Sequence, residues 1–136
     1  DPETQVVLPL LDTDLYDIFE AIYDERLSEL DIKWKDESCA CVILASGGYP
    51  KSYEKGKEIS GLDDKGQAEG VFVYHAGTKL SDGVFTTNGG RVLGVTATGK
   101  DLETALGNAY KGAKTITFDK VHYRNDIGKR ALAALK

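Results

Sequence analysis

The chain has 136 residues, a formal charge of −5, 41% hydrophobic and 29% charged residues. That is the size and make-up of one ordinary globular domain, too short for two independent cores and too apolar for a disordered chain. No apolar run approaches the roughly 18–20 residues of a membrane helix, no leader pattern opens the chain, and an acidic total argues against nucleic acid, so no membrane and no nucleic-acid partner is expected.

The charge is unevenly placed. Residues 1–37 carry twelve acids against three bases, whereas residues 38–136 carry ten acids against fourteen bases and could meet anionic small molecules. All fifteen glycines lie at or after Gly47, so an acidic helical opening precedes a region of strands and turns. Pro2 suits a first helical turn with Asp1 as its cap, and Pro9 ends or kinks that element. A second helix is predicted from about Asp14 to Leu30, capped by Asp12 or Thr13. Leu15, Ile18, Phe19, Ile22 and Leu30 follow 3.6-residue spacing, while Asp14, Asp17, Glu20, Asp24 and Glu25 face outward.

Trp34 to Glu37 reads as a connector and Cys39 to Ala45 as a buried strand. Cys39 and Cys41, one residue apart, share a strand face and read as reduced packing residues rather than a zinc or redox pair, which suits a cytoplasmic protein. Ser46 to Pro50 turns the chain, Lys57 to Ser60 reads as a short edge strand, Asp63 to Gly70 as a polar loop, and Val71 to His75 as a strand. Val84–Thr87 and Arg91–Thr96 then flank Asn88-Gly89, a strong hairpin signal because both residues tolerate positive φ. Asp101 caps a helix to about Ile116, with Leu102, Ala105, Leu106, Ala109, Tyr110 and Ala113 as its stripe. Phe118 to Tyr123 is extended, and Asn125 or Asp126 caps a last helix. The pattern is α+β with an antiparallel sheet.

Four clusters carry possible chemistry. The acids of Asp1-Pro2-Glu3 could hold a hard cation or position an amine, or simply favour a helix start. Gly47-Gly48-Tyr49-Pro50 either lets backbone amides approach an anion or makes a tight turn. His75-Ala76-Gly77-Thr78 offers a proton carrier or phosphate donor in His75, with Thr78 and the Gly77 amide nearby, or a hydrogen-bonded strand end. Thr86 to Arg91 places a guanidinium fork beside Gly89 and Gly90, suited to phosphate or carboxylate, or forms a turn with an exposed arginine. The segment Gly89 to Gly94 is neither a Walker A loop nor a dinucleotide fingerprint.

In this order, the motifs resemble the C-terminal part of the glycinamide ribonucleotide synthetase (phosphoribosylamine–glycine ligase) family. Asp1-Pro2-Glu3-Thr4-Gln5 is similar to the end of the family's Arg-Phe-Gly-Asp-Pro-Glu-x-Gln signature. Ala45 to Pro50, His75 to Thr78, Asn88 to Leu93 and Tyr123 to Gly128 resemble four further family segments. The chain has no methionine and opens at Asp1, so it is expected to be processed or cut from a longer protein.

The resemblance implies an ATP-grasp ligase of purine biosynthesis that joins glycine to 5-phosphoribosylamine, using ATP with magnesium or manganese. The metal ligands, the nucleotide-clamping lobes and the N-terminal domain would lie upstream of Asp1, as partners within the same chain, so this segment would be inactive alone and would hold no metal. Residues 1–37 would end the ATP-grasp lobe, and residues 38–136 would form a C-terminal domain with a small, partly barrel-like antiparallel sheet flanked by helices. Asp1 and Pro2 would border the glycine or acyl-phosphate site. Gly89, Gly90 and Arg91 would meet the substrate phosphate, with His75, Gly77 and Thr78 beside the same cleft. The competing expectations are the C-terminal domain of another ATP-grasp ligase or carboxylase, and a free-standing module that binds a phosphorylated metabolite.

Overall fold

In the computed structural model, which describes residues 2–135, the most apolar strand lies in the middle. Strand β5, Arg91–Gly99, pairs antiparallel with β1, Ser38–Ala45, on one side and with β2, Phe72–His75, on the other. Six consecutive β5 residues, Val92 to Ala97, are buried, the pattern of a central strand covered on both faces. Val42, Leu44, Val73 and Val95 form one cluster with the buried side of α3, Leu102–Thr115. Ala105, Ala109 and Ala113 of α3 are fully buried, and their small side chains let the helix sit close to the sheet. Each fully buried aliphatic side chain in this layer contributes about 1.5–3 kcal/mol. The helix matches the sequence reading, and the Asp101 carboxylate caps it by accepting the Thr104 N–H at 2.7 Å.

Short antiparallel sheets flanked by helices bear out the α+β class, but the hairpin lies elsewhere than expected. Strand β4, Val84–Thr87, pairs with β3, Thr78–Ser81, and not with β5. The turn is Asp82-Gly83, with φ of 51° and 78°, the doubly left-handed geometry that suits a two-residue hairpin. Asn88-Gly89 instead carries the chain from one sheet to the other, and neither residue has positive φ. The reason is burial: β5 is apolar enough to need a partner on each edge, leaving β4 to its nearest neighbour. Lys57 to Ser60 is not a continuous strand. Glu58 bridges Thr86 and Ser60 bridges Thr117, with Ile59 buried between them, so the segment joins the small sheet to the chain after α3.

The N-terminal elements are shorter than their pattern suggests. Helix α1, Thr4–Val7, begins after Pro2, has no side-chain cap, and with a following 3-10 turn, Leu8–Leu10, lies against β1. The expected cap Asp1 is outside the described residues. Helix α2 spans Leu15–Tyr23 rather than running to Leu30. Its cap is Asp14, which accepts the Tyr16 N–H at 2.8 Å, while the Thr13 hydroxyl accepts from Lys33 N–H instead. Glu25 then adopts a left-handed φ of 57° and a separate 3-10 turn covers Leu27–Glu29. Ala21 is the one buried residue of α2, whereas Phe19 and Ile22 are more than half exposed. Leu15 and Ile18 are half-buried, and with so little packing on its apolar stripe the helix gains little from further turns.

At the other end, α4, Lys129–Ala134, starts after Gly128 at φ 75°, not at Asn125 or Asp126. The Asp126 carboxylate is taken by a two-point contact with Arg124, at 2.9 Å from both Nε and Nη2, and is not spent on a cap. Cys39 and Cys41 are free and half-buried. Burial pushes both thiols up, with the neighbouring Cys41 adding to the effect at Cys39 and the Thr96 hydroxyl partly offsetting it at Cys41.

In this 136-residue chain, Leu44→Ala is expected to cost about 2–5 kcal/mol, because it opens a cavity between β1, β5 and α3. Phe19→Ala should change stability by no more than about 0.5 kcal/mol. Urea denaturation checks both, and a comparable loss from the two would show that the α2 stripe is packed after all.

Candidate functional site

Three of the motif turns meet at one end of the three-stranded sheet. Strands β1 and β2 both run antiparallel to β5, so the exits of β1 at Ala45 and β2 at His75 lie beside the entry of β5 at Arg91. The Ser46 N–H donates to the Gly90 carbonyl and the Ser46 hydroxyl to the Gly89 carbonyl, both at 2.8 Å. The Asn88 N–H donates to the Gly77 carbonyl at 2.7 Å. A bulge at Leu44/Ala45 shifts the β1 register by one residue, and the Val92 carbonyl accepts from both Ala76 and Gly77, at 3.1 and 3.0 Å. Such a bulge bends the strand and re-aims its neighbours.

The glycines make this junction possible. A Cβ on Gly77 would stand 2.8 Å from the Gly89 Cα and 2.5 Å from the Arg91 carbonyl oxygen, and one on Gly90 would fall on the Tyr49 ring. Their immediate use is therefore close backbone approach between turns. Tyr49 of the first turn covers Gly90 of the third, which sequence spacing could not show.

The other expected site residues divide. The His75 Nε2 lies 2.9 Å from the Gly66 carbonyl oxygen and its Nδ1 lies 2.8 Å from the Thr78 hydroxyl. A carbonyl only accepts, so Nε2 carries a proton towards Gly66, and Nδ1 shares a hydrogen bond with the Thr78 hydroxyl. With the Phe85 ring tilted against it at a centroid distance of 5.0 Å, the imidazole joins the loop at Gly66 to the corner between β2 and β3. An imidazole engaged at both nitrogens has none to offer a substrate in this conformation. Arg91 is exposed at the start of β5 and stands opposite Ala45, beside Gly89 and Gly90. Pro2 is exposed, and Asp1 lies outside the described residues.

A charged cluster next to the first turn was not legible in the sequence. Lys57 lies 2.6 Å from Glu54 and 3.3 Å from Asp119, and Lys120 lies 3.8 Å from Glu54. With Ser46 and Gly47 they line an open cleft of about 270 Å³. The hydrogen bond from Lys57, and then the charge of Lys120, hold the Glu54 carboxyl below its ordinary range. The hydrogen bonds to Glu54 and Asp119 raise Lys57. Glu54 and Lys57 are near in sequence, but Asp119 and Lys120 arrive from some sixty residues away, and no local signal links them.

Among the described residues no group of three or more histidines, cysteines and acids stands close enough to hold a metal ion. Nor is any helix of the described residues long and apolar enough to cross a membrane.

The chain matches known proteins in both sequence and fold. A family model described as "Phosphoribosylglycinamide synthetase, C domain" matches residues 39–130. The chain is 53% identical over 133 residues to the phosphoribosylamine–glycine ligase of Synechocystis sp., covering 97% of this chain and 32% of that protein. It is 51% identical over 136 residues to the trifunctional purine biosynthetic protein adenosine-3 of Gallus gallus, covering 99% of this chain and 14% of that protein. The crystal structure of a phosphoribosylamine–glycine ligase from Thermotoga maritima superimposes with a TM-score of 0.71 at 34% identity, over 93% of this chain and 30% of that one. The chain thus spans a third or less of the length of these relatives. On the matched residues, the shared sheet and the resemblance of its motifs, the chain belongs to the phosphoribosylglycinamide synthetase C-domain family.

Proposed function

We propose that this chain serves as the C domain of an ATP-dependent ligase that joins glycine to 5-phosphoribosylamine in de novo purine biosynthesis, in the cytoplasm. The observation that carries this reading is the junction of three turns at one end of the sheet, which brings Ser46 and Gly77 against the turn Asn88 to Arg91. The glycine carboxylate attacks the terminal phosphorus of ATP, giving glycyl phosphate and ADP. The amine of phosphoribosylamine then attacks the acyl carbon, phosphate leaves with the bonding pair, and the nitrogen loses a proton as the amide forms. Magnesium or manganese, when bound, lowers the charge repulsion of the phosphates, and its ligands are supplied by residues outside this segment.

The role of this chain is to bind and orient. The Arg91 guanidinium gives a two-point contact to the substrate phosphate, and the backbone of Gly89 and Gly90 approaches it without a side chain in the way. The Thr78 hydroxyl and the Gly77 backbone border the same end of the sheet, and His75 holds Thr78 in place. Asp1 and Pro2 precede α1 and border the acyl-phosphate side. Residues 1–37 belong with the upstream ATP-grasp lobe, and residues 38–136 form the C domain proper. The exposure of Tyr16, Phe19, Ile22, Tyr23, Leu27 and Trp34 supports this division, since the apolar side chains of one segment stay open where an upstream lobe would pack.

In a full-length ligase carrying this segment, Arg91→Ala is expected to lower kcat/KM by roughly ten- to a hundredfold, the loss of one charge-assisted contact. Its thermal midpoint should hardly move, because Arg91 is exposed. An unchanged kcat/KM would remove Arg91 from the site. The 136-residue chain alone should form no ADP with glycine and phosphoribosylamine present, and glycine-dependent ADP release by the purified segment would overturn the proposal that catalysis needs the upstream domains.

A further inference from the structure

Gly89 and Gly90 have no side chains with which to fix their own peptide planes, so the geometry of the phosphate-facing turn must be set from outside. Ser46 does this from the end of β1. It is only 4% exposed, and it donates twice, from its N–H to the Gly90 carbonyl and from its hydroxyl to the Gly89 carbonyl. One residue thereby holds two consecutive carbonyls. In a trans peptide the C=O and the following N–H point in opposite directions, and Tyr49–Pro50 is the one cis bond among the described residues. With the two carbonyls tied to Ser46, the N–H groups of Gly90 and Arg91 are turned to the far side of the turn. Tyr49 closes the near side, because its ring fills the place a Gly90 Cβ would take.

Ser46 is itself fixed by its neighbour. Ala45 exchanges both backbone bonds with His122, at 2.9 and 3.1 Å, so the strand end cannot swing away from the turn. The donor that orders Gly89 thus sits on a braced strand end, as positioning groups must.

We infer that Ser46 is a positioning residue: its hydroxyl sets the peptide planes of Gly89, Gly90 and Arg91, and so the donors that meet a phosphorylated substrate. The inference rests on the reading that this turn meets the substrate phosphate. A purely structural serine would fill a buried corner, and a loss there would reduce the amount of folded enzyme without touching the affinity for one substrate.

The test uses full-length ligase carrying this segment, with KM measured separately for ATP, glycine and the phosphorylated amine. Ser46→Ala keeps the backbone bond and removes only the hydroxyl. It is expected to raise KM for the phosphorylated amine about tenfold while the other two stay within roughly twofold. Ser46→Thr keeps the hydroxyl and should restore that KM to within about threefold of the parent. If Ser46→Ala does not fold, Ser46→Cys, nearly equal in shape but a weak donor, should show the same selective rise. Unchanged KM values in the folded variants, or a fall in kcat with all three KM values intact, would overturn the inference. Arg91→Ala separates the two levels: if it also leaves kcat/KM unchanged, the site reading falls and takes this inference with it. If Arg91→Ala impairs the enzyme and the Ser46 variants do not, this inference alone fails.

Discussion

The architecture depends on one constraint, that a strand buried along six consecutive residues must have a partner on each edge and cover on each face. For β5 those edge partners are β1 and β2, and α3 closes one face with alanines small enough to approach the sheet. Once β5 is central and both neighbours are antiparallel, the exits of β1 and β2 and the entry to β5 fall at the same end. The junction of three turns follows from that topology. No turn needs to seek the others; the strand directions deliver them.

What the junction then requires is proximity without side chains. Gly77 and Gly89 pack backbone against backbone, Gly90 lies under the Tyr49 ring, and Ser46 binds two successive carbonyls. Glycine loses more conformational freedom on folding than any other residue, so a cluster of three carries an entropic cost that the crossed hydrogen bonds offset. The outcome is a cross-bonded corner at the sheet end, with Arg91 as the first residue of the strand that leaves it.

The opening segment follows a different logic. Helix α2 has the spacing of a long amphipathic helix but ends after nine residues, and most of its apolar side chains remain exposed. Spacing reports which side of a helix is apolar, not what lies against it. Relatives three or more times the length of this chain are the setting in which such a stripe has something to meet. Local propensity without tertiary support stops where the helix stops.

The sequence by itself determined the features that local chemistry controls. The 3.6-residue stripe and Asp101 cap of α3, the apolar runs of β1 and β5, the α+β class, and the family to which the motif order belongs were all legible, because each depends on neighbouring residues or on motif identity. Tertiary structure decided the rest. Asn88-Gly89 carries as strong a hairpin signal as Asp82-Gly83, and only the competition for edges of β5 assigns the hairpin to the latter. His75 reads as a proton carrier or a hydrogen-bonded strand end, and only the fold shows the Gly66 carbonyl and the Thr78 hydroxyl at its two nitrogens. Ser46 reads as one residue of a turn until the Gly89 and Gly90 carbonyls arrive from more than forty residues away. For the hairpin and for Ser46 the deciding partner is distant in sequence, and periodicity and propensity carry no information across that distance; the His75 partners are only three and nine residues away, but the path of the loops, not spacing, sets them at the ring.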